Sequence, residues 1–170
     1  MRRLFLVVLG LLISLSVNAQ NNNQSELQTH EALVKELYKM CSFEKEKLPD
    51  WDKMKNLFLP NSVILLKSGL NKFDNVDREG FIKLWLRDIE KYKLDKTGFS
   101  EKMKNMKCSA FGDIATYIIQ YEASIPGVQM PPQPGLDMIS LIKLDGRWWI
   151  ASIVNDVPGR NSSIPESLFK

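Results

Sequence analysis

The stretch LDMISLIKLDGRWWIASIVN, residues 136–155, decides the fold. At its centre stands Asp145-Gly146, a pair suited to the positive φ that both central positions of a type I′ turn demand. β-branched and aromatic residues flank it on both sides. The stretch therefore reads as a hairpin, Leu136–Leu144 returning as Arg147–Asn155. Just upstream, residues 126–135 hold four prolines and two glycines and read as a loop. Before that loop the same extended pattern recurs. A strand is expected over 100–111, a turn at Gly112-Asp113 and a strand over 114–125.

Towards the N-terminus the period changes from two to three and four. Ser25 and Gln28 have the spacing of a capping box, so a helix is expected from there. Leu27, His30, Val34, Leu37 and Cys41 make its apolar stripe. Trp51, Met54, Leu57 and Phe58 form a short second helix that Pro60 stops. Val63–Leu66 is a short strand. Asp77 caps a third helix carrying Phe81, Ile82, Trp85, Ile89 and Tyr92 on one side. Helices first and an antiparallel meander after them define an α+β domain.

The first 19 residues read differently. Arg2 and Arg3 precede an apolar run from Leu4 to Val17, and Val17-Asn18-Ala19 has the form of a cleavage site. The expectation is a signal peptide at 1–19, a flexible leader at 20–25, one domain over 26–157 and a polar tail at 158–170. Export places the protein in the periplasm or outside the cell, with no membrane contact after cleavage. Two of the 23 lysines and arginines lie in the signal, and none of the 20 acids does. The mature charge is then near neutral, which gives no case for nucleic acid. Two cysteines 67 positions apart do not make a metal site, and neither a metal nor a cofactor is expected. Cys41 and Cys108 are expected near each other beneath the sheet, where an oxidising compartment would permit a bridge.

Several short motifs then fall in a familiar order. They are Pro49-Asp50-Trp51 with Phe58-Leu59-Pro60, Gly98-Phe99-Ser100-Glu101, Phe111-Gly112-Asp113-Ile114-Ala115, Tyr121-Glu122, Gly135, and Gly146-Arg147-Trp148-Trp149-Ile150. Together they resemble the bacterial nuclear-transport-factor-2-like domains, also called SnoaL-like or ketosteroid-isomerase-like, over about residues 26–156. The resemblance implies a cone-shaped fold, with N-terminal helices packed against a curved, mainly antiparallel sheet and a cavity between them. It does not imply one reaction, because the fold serves isomerases, dehydratases and binding modules.

Hairpin pairing assigns faces. Counting back from Gly112-Asp113 puts Met106, Cys108, Ala110, Ala115, Tyr117, Ile119 and Tyr121 on the inner side, with Lys104 opposite Tyr121. Counting from Asp145-Gly146 puts Met138, Ser140, Ile142, Trp149, Ala151 and Ile153 inside. Trp148, Ile150 and Val154 are then left outside, as a surface for a homodimer. The cavity residues on this count are Lys104, Tyr117, Tyr121, Ser140, Trp149 and Ala151. Glu101, Glu122, Asp137 and Asp156 fall outward or on the alternate face. One β-bulge would reverse that parity, and Glu101 is the acid most exposed to the reversal. Three readings follow. The leading one is a non-enzymatic binder of a small hydrophobic or aromatic molecule. The second is a lyase or isomerase using Glu101 with Tyr117 or Tyr121. The third is an association module without a ligand.

Overall fold

The computed structural model describes residues 28–159 and 162–170. The expected signal peptide and leader therefore lie outside the described residues. The chain is α+β, with helices packed on one sheet.

Helix α1 spans His30–Met40. Its cap is Thr29, whose hydroxyl accepts from the Ala32 amide; Ser25, the expected cap, lies outside the described residues. Strand β1 (Phe43–Glu44) follows, then helix α2 (Trp51–Lys55), capped by Asp50. Strand β2 runs over Phe58–Gly69, and Pro60 lies inside it instead of ending a helix. Proline is tolerated because pairing with the neighbouring strand lapses between Phe58 and Val63. Strand β3 (Lys72–Val76) was not legible beforehand. Helix α3 (Arg78–Tyr92) starts at the expected Asp77 cap, and the short α4 (Leu94–Thr97) leads into the meander. The meander is β4 (Gly98–Phe111), β5 (Ile114–Ser124), β6 (Gln133–Leu144) and β7 (Arg147–Asp156).

The sheet order is β1-β4-β5-β6-β7-β2-β3, antiparallel except for β2 beside β7. Both expected turns are present, with Phe111 opposite Ile114 and Leu144 opposite Arg147. The core lies between α1, α3 and one face of the sheet. It is built from Leu33, Val34, Phe58, Tyr117, Ile119, Ile139 and Ile150, each essentially inaccessible to solvent. The tail is docked at its end: Ile164, Leu168 and Phe169 are half-buried and the 3-10 turn Glu166–Phe169 packs against β4.

Two bulges reset the faces. In β4, Met103 opposes Tyr121 and Asn105 opposes Gln120, so Lys104 is an extra residue. In β7, Ile150 opposes Leu141 and Ser152 opposes Ser140, so Ala151 is extra. The first bulge turns Glu101 inward. In the last hairpin the inner face is the opposite of the one expected between the turn and the bulge: Ile139, Leu141, Trp148 and Ile150 are buried, while Met138 is exposed. Past the bulge Ile153 is buried, as expected, and Val154 is exposed.

Candidate functional site

Polar side chains converge inside the core, under the C-terminal half of α1. Tyr38 comes from α1, Tyr121 from β5, Asp137 from β6 and Asn155 from β7. All four are at most 9% exposed. Tyr38 donates to Asp137 Oδ2 at 2.5 Å. Asn155 Nδ2 donates to Asp137 Oδ1 and to the Tyr121 hydroxyl, both at 2.8 Å. The Tyr121 ring crosses β6 at Gly135, its cross-strand partner, where a β-carbon would overlap the ring. Glycine there is what lets the phenol reach Asn155 on the next strand but one.

Glu101 approaches this cluster from β4, and Cys41 meets it from the end of α1. Burial pushes the Glu101 carboxyl up to about 8, the charge of Asp137 pushes the same way, and a hydrogen bond from Cys41 opposes both. Burial also raises Asp137, to about 6, against the hydrogen bonds from Tyr38 and Asn155. Burial lifts Tyr38 and Tyr121 well above the usual phenol range, and the Asp137 charge adds to it, so both keep their protons. Burial thus raises both carboxyls, and Asp137 less, because Tyr38 and Asn155 hydrogen-bond its charged form. Divergent proton affinities of this kind divide an acid from a base.

The expected cavity residues separate. Tyr121 belongs to the cluster. Tyr117, four residues away on the same strand face, lies about 13 Å along β5. It meets His30 instead: His30 Nδ1 is 2.5 Å from the Tyr117 hydroxyl, and the imidazole packs edge-on to Trp148. Lys104 is exposed on its bulge, 3.1 Å from Glu122. Trp149 faces outward under the Arg147 guanidinium, 3.6 Å away. Arg147 bonds the Asn56 carbonyl at the end of α2. Ser140 opposes Ser152 and not Ala151, and Ala151 is the unpaired residue of its bulge. The missed residues are Asp137, Asn155, Tyr38 and Cys41. The signal for the inward turn was a spacing of three, Met103 to Met106, in a strand that otherwise alternates.

The cysteines do not meet. Cys41 precedes Ser42, which bonds the Glu101 main chain, whereas Cys108 stands opposite Tyr117, seven residues further along β4, and both are free thiols. Seven extended residues span about 23 Å, which excludes a bridge. No cluster of metal-ligating side chains occurs among the described residues. An open groove of about 700 Å³ lies at the C-terminal end of α1, with Met40, Phe43 and Phe99 among its lining residues and none of the polar cluster. Of its lysines, Lys39 and Lys53 stand against Glu36, Lys47 against Glu44, and Lys45 lies 4.0 Å from Glu46.

No protein-family model matches the chain, and no curated protein matches it in sequence. Solved structures do match in fold. A nuclear-transport-factor-2-like protein with a cystatin-like fold from Novosphingobium aromaticivorans is 11% identical, covers 95% of this chain and 99% of its own, and has a TM-score of 0.62. A cystatin-like-fold protein of unknown function from Nostoc punctiforme is 11% identical, with 84% and 94% coverage and a TM-score of 0.59. A candidate scytalone dehydratase from N. aromaticivorans is 14% identical, with 86% and 93% coverage and a TM-score of 0.57. The chain has the nuclear-transport-factor-2-like fold.

Proposed function

We propose that the domain catalyses proton transfer on a small, largely apolar molecule held between α1 and the sheet. The observation that carries this is the inward turn of Glu101 at the Lys104 bulge, which puts it on the face of Tyr121 and within the influence of the Asp137 charge. Glu101 is the general acid, Tyr121 a second donor to the same ligand oxygen, and Asp137 the base. Asn155 spends its amide on the Tyr121 oxygen, which leaves the phenol proton free for a ligand. A carboxylate has about four lone-pair positions, so Asp137 keeps capacity beyond its two bonds. The likeness to a candidate dehydratase is compatible, because losing water means moving a proton to a departing hydroxyl.

The test is incubation in deuterated water with β-hydroxy ketones, enones and hydroxylated aromatics, followed by mass analysis. Turnover should follow a bell-shaped profile with limbs near the two carboxyl values, about 6 and about 8. Glu101→Gln should lower it by about 100-fold or more. Ligand retention without turnover or exchange would return the domain to the binding reading. That reading has its own support, because Asp137 is already hydrogen-bonded by Tyr38 and Asn155. We also propose export through residues 1–19, checked by N-terminal mass mapping. Pairing of two copies is proposed through the outer face, where Met138, Val154 and Val63 are exposed, and is checked by sedimentation.

A further inference from the structure

Strand β1 pairs with β4 at only two positions, Phe43 with Phe99 and Glu44 with Gly98. Just past them on β4 comes Glu101, which pairs on its other side with Ala123 of β5. Its amide and carbonyl need partners on the free edge, and Ser42 supplies both. The Ser42 hydroxyl accepts from the Glu101 amide at 2.9 Å and donates to the Glu101 carbonyl at 3.0 Å. One side chain thus takes the place of the next rung of the ladder. The preceding residue, Cys41, caps α1 and is buried, and its thiol acts on the proton affinity of the Glu101 carboxyl.

We infer that the Cys41-Ser42 dipeptide is the positioning device for Glu101, with Ser42 fixing its main chain and Cys41 its carboxyl. This rests on the reading of Glu101 as the proton donor. Neither residue touches the ligand. Their effect is to hold one carboxyl oxygen aside, so that the other is presented to the interior. The groups facing Glu101 are Asp137 from β6, Tyr121 from β5, and Tyr38 and Cys41 from α1. Of these, Asp137 opposes ionisation by its charge and Cys41 favours it by its hydrogen bond. Removing the thiol therefore raises the proton affinity of Glu101. Removing the Ser42 hydroxyl frees the strand edge, lets water reach the carboxyl and lowers that affinity.

The experiment is a carbon-13 titration of glutamate carboxyls in the full chain, with the Glu101 signal assigned by its loss in Glu101→Gln. Cys41→Ala should raise the midpoint by roughly one pH unit, and Cys41→Ser, which keeps a donor, should restore it. Ser42→Ala should lower it by roughly one unit, and Ser42→Thr should hold it. A purely structural role would move stability and leave these midpoints alone. Unchanged midpoints in folded Cys41→Ala and Ser42→Ala overturn the inference. If Ser42→Ala does not fold, the Cys41 pair decides alone. The titration needs no substrate, so failure to find turnover would remove the proposed reaction and leave this result standing.

Discussion

The β4–β5 and β6–β7 hairpins are built alike and carry opposite burdens. Each has a glycine-containing turn and one extra residue, Lys104 in β4 and Ala151 in β7. In β4–β5 the bulge brings an acid in: beyond it, Glu101 joins Tyr121 on the inner face. In β6–β7 the bulge keeps the apolar face in. Trp148 and Ile150 before it and Ile153 and Asn155 after it all point to the core, although three positions separate Ile150 from Ile153. A bulge is thus a parity switch whose consequence depends on what lies beyond it.

The sharpest way to break the comparison is in the second hairpin. Trp148→Ala should cost about 3–5 kcal/mol, because the indole is buried against His30, whereas Trp149→Ala should cost about 1 kcal/mol. Equal losses in urea unfolding would mean that the inner face has been assigned to the wrong tryptophan.

In the first hairpin the effect is one of pH. Glu101 binds its proton more tightly when folded than when unfolded, where it titrates near 4.5. Its contribution is therefore fully present below 4.5 and lost as pH rises towards 8. Asp137 acts in the same direction between 3.8 and 6. Glu101→Gln should then stabilise the protein by on the order of 3 kcal/mol at pH 8 and by little at pH 4.5. A gain independent of pH would show that Glu101 is not held in the interior.

Smaller again is the effect at Gly135, which joins the two hairpins. Gly135→Ala should cost about 2 kcal/mol, because the methyl meets the Tyr121 ring. Gly146→Ala meets no neighbour and suffers only its φ of +81°, at about 1 kcal/mol. Thermal melts that rank these two the other way would question the path of Tyr121 over β6.

These same residues explain what the sequence made legible. Turns announce themselves through glycine and aspartate, so both hairpins and the inner residues of β5, nearest their turn, were readable. Bulges carry no residue signature of their own. Their trace is a lapse in alternation, Met103 to Met106 and Ile150 to Ile153, which counting from a turn steps over. In β6 both faces were nearly equally apolar, so burial could not choose between them, and Asp137 went out with the wrong face. Cys41 was readable as a helix-stripe residue, whereas Tyr38, next to Leu37, fell off the stripe. Their meeting with Asp137 and Glu101 depends on how α1 lies across the sheet, which no local pattern encodes.

The central claim is that the Lys104 bulge places the Glu101 carboxyl in the protein interior, within the influence of the Asp137 charge. It is tested most directly by the carboxyl titration of Glu101 in the unaltered protein. The account predicts a midpoint near 8. A midpoint near 4.5, the ordinary value for this side chain, would put Glu101 in water and contradict it.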